Sequence, residues 1–161
     1  MRTFALSMAF ALLAALTLSA SVLAGDQRPM RGHYTIGVAP VEQRCGPNAL
    51  TIGFEGVGIA THFGRMTGTG SNCTELTLAT ESVAIWDGIA TYTAADGSSV
   101  TVSYEGVQGA PVGGVAIAST TSTVLSGTGR FEGAQGSWTA SGTIDFTTGL
   151  VGDTLSGWIN Y

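Results

Sequence analysis

The sequence predicts an all-β protein: an antiparallel β-barrel of about eight strands, with a β-sandwich as the alternative. Three observations lead there. No run keeps apolar residues at spacings of three and four over two helical turns. Short alternating segments of β-branched and aromatic residues recur instead, punctuated by many of the 24 glycines. About eight such segments in a chain this size favour closure, because an open sheet would leave two edges free to aggregate. A barrel of about eight strands is also the size whose interior is either filled by side chains or keeps room for one small ligand.

The elements follow in order. Met1-Arg2, an apolar run from Phe4 to about Leu18, and Val22-Leu23-Ala24 before Gly25 read as a cleaved signal peptide over residues 1–24. A membrane anchor is the alternative, but a spanning helix wants about 20 apolar residues. Leu23-Ala24-Gly25-Asp26 resembles a lipobox, except that Asp26 stands where the lipid-bearing cysteine must be. Residues 25–161 then form one domain, expected to be secreted or periplasmic and without stable membrane insertion after cleavage. Its strands are expected over His33–Val41, Leu50–Phe63, Met66–Thr80, Ile89–Ala94, Ser99–Val107, Val115–Leu125, Ser137–Phe146 and Leu155–Tyr161. The clearest hairpin spans Thr91 to Val102, where Asp96-Gly97 suits a turn with positive φ at both central residues.

In the second strand the apolar parity breaks. Ile52 and Phe54 share one face, whereas Val57, Ile59 and Phe63 lie on the other, so one extra residue near Glu55–Gly56 is expected as a bulge. The packing of apolar faces turns Val57, Ile59 and Phe63 inward and leaves His62 outside. The opposite orientation would line the lumen with Gly56, Gly58, Ala60 and Gly64 and project His62 into it.

Composition excludes several chemistries. With 6 basic and 11 acidic residues the chain is acidic and repels polyanions, so no nucleic-acid partner is expected. All six basic residues are Arg, and without Lys there is no Schiff-base amine. Cys45 and Cys73 are the only cysteines, and in an exported protein a disulfide is the default. A nucleophile or metal pair is the sharper alternative, but neither C-x-x-C spacing nor a nearby His supports it. Asn72-Cys73-Thr74 is a glycosylation sequon, read as accidental behind a bacterial-type leader.

The segment Ser126-Gly127-Thr128-Gly129-Arg130-Phe131-Glu132-Gly133-Ala134-Gln135-Gly136 is the most distinctive. It resembles the G-G-[ST]-G-x-F-x-x-[AV]-x-G turn of plant allene oxide cyclases, dirigent proteins and barrel-like bacterial proteins grouped beside them. Ser126 replaces the usual leading Gly. Gly58–Arg65, Ala90–Gly97 and Gly157–Tyr161 resemble further stretches of the bacterial group. The resemblance implies a lumen that holds an apolar substrate in one conformation, and it carries over no catalytic residue. Physically the motif is architectural: Gly127, Gly129, Gly133 and Gly136 permit unusual backbone, Phe131 plugs the core, and Arg130 and Glu132 flank it in solvent. A phosphate loop is disfavoured, since no Lys and no strand–helix context follow.

Candidate chemistry is sparse. His62 and Glu55 are the candidate acid or base residues, Glu55 if its surroundings are dry. Tyr92 and Tyr104, on the two strands of the hairpin, are candidate ligand-binding residues. His33 is expected at the surface, no metal site is expected, no cofactor is expected, and no nucleophile elbow is present. The leading functional expectation is a non-enzymatic exported barrel that binds a small apolar molecule in its lumen, or serves as an interaction or structural module. The alternatives are a cofactor-independent isomerase or cyclase and, last, a small outer-membrane barrel.

Overall fold

The protein is described by a computed structural model over residues 27–75 and 82–161. The expected signal peptide, residues 1–24, lies outside the described residues, as does the end of the expected third strand. Eight strands follow in chain order: β1 (Arg28–Pro40), β2 (Ala49–Ala60), β3 (Gly64–Glu75), β4 (Val83–Ala94), β5 (Ser99–Gln108), β6 (Val115–Gly127), β7 (Gln135–Asp145) and β8 (Leu150–Asn160). Each pairs antiparallel with the next, and β8 returns to β1 to close the barrel. The barrel is thus the architecture, and the sandwich alternative is set aside.

The closing seam is longer than the sequence suggests. Arg28–Gly37 pairs continuously with Ile159–Leu150, so β1 and β8 each begin five residues before their expected starts. Gly152 and Asp153 look like turn residues in isolation, yet pairing on both sides keeps them in a strand. β4 likewise begins at Val83 rather than Ile89.

The parity of β2 corrects two expectations. Its pairing with β1 and β3 runs without a break from Ala49 to Ala60, so no bulge occurs at Glu55–Gly56. The Gly face turns inward, and Val57 and Ile59 stand outside, 63% and 62% exposed. The reason is volume. A methyl group at Gly58 would stand 2.8 Å from the Tyr34 ring, and one at Gly56 would stand 2.7 Å from Ile36 Cγ2. Large side chains of β1 occupy the lumen in front of β2, and only glycine leaves them room, the small-against-large fit of narrow barrels. The apolar-face rule fails where the neighbouring strand already supplies the core.

Extra residues sit in β6, where Leu125 falls between Val124 opposite Val102 and Ser126 opposite Thr101, and in β4. Ile85 faces Gly106 and Gly88 faces Tyr104 on β5, leaving two residues of β4 opposite one. Asp87 there takes φ +51. The β4–β5 hairpin also differs from expectation: the loop is Ala95-Asp96-Gly97, and only Gly97 has positive φ. Ala94 and Ser98 close it, and Ser98 N donates to Asp96 Oδ1 at 3.0 Å, the pattern of a three-residue hairpin loop.

One end of the barrel is filled. Phe131, in a single 3-10 turn (Gly129–Phe131), is fully buried and stacks on Phe63 with ring centres 4.6 Å apart. Met30, Met66, Val100 and Ile159 complete this plug. Gly129 adopts φ +61 against Ser98, and a side chain there would collide with it. Arg130 and Glu132 are exposed, and Arg130 pairs with Asp96 while donating to His62 O at 2.9 Å. On the outside, Cys45 and Cys73 form a disulfide that clips the 41–48 loop over β2 and β3. Arg44 in that loop grips the β4 bulge through the Asp87 carboxylate and the Asp87 carbonyl.

Candidate functional site

Among the described residues the other end of the barrel is open and leads into a cavity of about 500 Å³. Its mouth is set by Pro40, Leu50, Pro111 and Phe146, and its walls by Ile36, Val38, Ile52, Val83, Ile85, Ala118, Ala140, Ile144 and Val151. A wider depression of about 1050 Å³ lies on the outer face around Val57, Ile59, Arg31 and Arg65. That groove is shallower and holds no buried ionisable group, so the lumen is the candidate site.

Four aromatic rings from four strands shape the inner part of the cavity: Tyr34, Phe54, Tyr92 and Tyr104. They meet edge to face in a chain, with ring centres 6.1 Å apart for Phe54–Tyr104, 6.5 Å for Tyr34–Phe54 and 5.6 Å for Tyr34–Tyr92. Tyr92 continues the chain to buried Trp138 at 5.9 Å. Glycines make the crossing possible. A methyl group at Gly68 would stand 2.9 Å from both the Tyr34 and the Tyr92 ring, and one at Gly88 would stand 2.7 Å from Tyr104.

Asp153 is the one acid on the inner wall among the described residues. It lies between its cross-strand partners Tyr34 on β1 and Gly142 on β7, and a methyl group at Gly142 would stand 2.6 Å from Asp153 Oδ1. Burial pushes its pKa up to about 6, because the apolar wall disfavours the carboxylate. The phenols of Tyr34, Tyr92 and Tyr104 are pushed up too, first by burial and then by neighbouring acidic groups whose charge would oppose a second one: Asp153 for Tyr92, Tyr92 and Asp153 for Tyr34, and Tyr92 for Tyr104. All three remain neutral at physiological pH. Tyr104 OH donates to Asn72 Oδ1 at 3.1 Å, whereas the buried Tyr34 hydroxyl and Trp138 Nε1 have no partner.

The structure brings Tyr92 and Tyr104 into one wall and leaves Glu55 and His62 elsewhere. Glu55 is exposed on the outer face of β2, because the inward positions there belong to Phe54 and Gly56. His62 belongs to neither orientation considered for the strand. It lies in the β2–β3 turn at the filled end with φ +72, its Nε2 3.1 Å from Pro29 O. Gly127, Gly129, Gly133 and Gly136 flank Phe131 in the chain at that same end, Gly127 against it, and none lines the cavity. No group of three or more His, Cys, Asp or Glu suited to a metal occurs among the described residues. Asp153 itself was legible in principle: Val151, Asp153, Leu155, Gly157 and Ile159 share one parity, and an acid on that face stands out once the strand is known to begin at Leu150.

Two solved structures resemble the whole barrel. The pterocarpan synthase dirigent protein PsPTS1 aligns with a TM-score of 0.51 and 14% identity over 83% of this chain and 96% of its own. The pterocarpan synthase dirigent protein GePTS1 aligns with a TM-score of 0.50 and 14% identity over 91% of this chain and 97% of its own. The eight-stranded barrel is therefore a fold shared with dirigent proteins, and at this identity the likeness is one of fold. No protein-family model and no curated protein sequence matches the chain.

Proposed function

We propose that this protein is an exported, non-enzymatic barrel that binds a small, mostly apolar molecule in its lumen. The observation that carries the reading is the cavity of about 500 Å³, open at one end and plugged at the other, with apolar walls and a few polar anchors. Burying about 250 Å² of ligand surface there would contribute roughly 6 kcal/mol before the costs of association. Both similar barrels are named for pterocarpan synthesis, which favours a small-molecule role here as well. The disulfide fits an oxidising compartment. A membrane-embedded barrel has less support, since outward positions at mid-barrel include His33, Thr35, Glu55 and Thr69, and charge on a lipid-facing wall is costly. The test is a lumen-filling substitution. Ala118→Leu should weaken binding of the neutral fluorophore N-phenylnaphthylamine at least tenfold while the protein stays folded. Unchanged affinity in a folded variant places binding elsewhere and ends the reading.

A second reading, a cofactor-independent isomerase or cyclase, draws support from one feature: a carboxyl group with its pKa near 6 inside an apolar cavity can give or take a proton near neutral pH. Asp153, rather than Glu55 or His62, is the residue placed to do so. Turnover of any bound ligand, lost in Asp153→Asn with binding retained, would support it. A ligand recovered unchanged counts against it.

A further inference from the structure

Resting on the lumen-binding reading, we propose that the ligand of the cavity is a hydrophobic organic cation, an amine or quaternary ammonium. Its charged head would seat against Asp153 inside the cage of Tyr34, Phe54, Tyr92 and Tyr104. Two independent features of the wall point to it. The first is charge. Among the described residues the ionisable groups on the lining are Asp153, Glu75 at the mouth and the three tyrosines, and none is cationic. Asp153 is flanked by Tyr34 on β1 and Gly142 on β7 and is influenced across the lumen by no basic group. Arg44, whose charge reaches Tyr104, sits in the outer 41–48 loop and is committed to Asp87. A ligand carboxylate would therefore meet only like charge, and a neutral ligand would leave the acid without a counterion. An ammonium group supplies the missing charge.

The second feature is the rings. Tyr34 pairs with Asp153 across the β1–β8 seam and Tyr92 feels its charge, and the ring chain runs on from Tyr34 through Phe54 to Tyr104; such π-faces attract a cation held within about 6 Å of a ring centre. Aromatic cages with one carboxylate suit quaternary ammonium groups, whose methyls offer no hydrogen bond and whose charge is diffuse. Purely apolar ligands would need neither component.

The experiment uses three molecules of one shape: naphthylmethyl-trimethylammonium, its neutral carbon isostere, and naphthylacetate. Affinities are measured by titration calorimetry at pH 5 and pH 8. The cation carries its charge at both values, so any pH dependence comes from the protein. Its affinity should exceed that of the neutral isostere at least tenfold at pH 8. It should drop roughly tenfold at pH 5, where a carboxyl of pKa near 6 is about nine-tenths protonated. Asp153→Asn should remove most of the preference for the cation, together with its pH dependence, and leave the isostere's affinity unchanged. Tyr104→Leu should weaken the cation more than the isostere. Equal binding of cation and isostere, or preferred binding of naphthylacetate, overturns the proposal while leaving lumen binding intact. Failure of all three to bind overturns the lumen reading and this one with it. Should Asp153→Asn not fold, the wild-type pH profile still decides.

Discussion

Burial of the Asp153 carboxyl makes it a titration switch on stability as well as a binding group. Its pKa is about 6 in the folded barrel and stands near 3.8 in the unfolded chain. Because the folded value is the higher one, the folded state holds the proton more tightly. Its stabilising effect is therefore complete below about pH 4 and is lost as pH rises through 6. Asp153→Asn, which cannot ionise, should raise stability at pH 7 by up to roughly 3 kcal/mol and flatten the slope between pH 4 and 6, read from urea midpoints at each pH. The Tyr34 hydroxyl tells a related story. It is buried and unpartnered, so Tyr34→Phe removes a desolvated group at no cost in hydrogen bonds. That variant should be as stable as the parent or more so. Gly68→Ala, by contrast, places a methyl group 2.9 Å from both the Tyr34 and the Tyr92 ring and should cost about 1–3 kcal/mol. Combining it with Tyr34→Phe should recover part of the loss, because the same methyl also crowds the Tyr34 hydroxyl.

Among the elements, the 41–48 loop depends most on cross-links. It has no strand pairing along its length, yet it buries Thr51 and Cys73 beneath it. Arg44 at the β4 bulge adds an exposed ion pair, a contact of small value by itself. The disulfide spans 28 residues of sequence, and opening it would free a loop worth about 3.5 kcal/mol on the chain-entropy account. Reduction, or the paired Cys45→Ser and Cys73→Ser change, should lower stability by about that amount, measured as a denaturation midpoint. Hydrogen exchange should speed up first at Val41–Asn48 and along β3. β2 and β4 show where local reading of a strand stops working. Parity within β2 assigns Val57 and Ile59 to the core, and only the bulk of Tyr34 and Ile36 on β1 reveals that the Gly face must turn inward. In β4 the Asp87-Gly88 pair reads as a strand terminator, whereas the bulge absorbs it and Arg44 caps it from a loop 43 residues away. Such contacts are non-local and leave no periodic trace.

At the scale of the whole molecule, the division into a plugged end and an open end was only half legible. Gly127–Gly136 marked Phe131 as a core residue, because that many glycines around one aromatic need a tight, filled turn. Strand number announced closure, and the hairpin singled out Tyr92 and Tyr104 as candidates, both of which line the cavity. Asp153 stayed hidden for want of five residues at the start of β8, since a strand taken to begin at Leu155 leaves it in a loop. The two ends can be separated by experiment, because they share the barrel but no side chains. Phe131 is fully buried against Phe63, while Phe146 is half exposed at the cavity mouth. Phe131→Ala removes a packed ring and should lower stability by about 3–5 kcal/mol, with the affinity of the folded fraction for a lumen ligand unchanged. Phe146→Ala loses little buried area, so its denaturation midpoint should stay close to that of the parent. Its effect should appear in the kinetics of exchange, with faster ligand association and dissociation through a wider mouth, read by stopped-flow fluorescence. If Phe146→Ala were instead to unfold the barrel, or Phe131→Ala to leave its midpoint unmoved, the assignment of stability to one end and access to the other would be reversed.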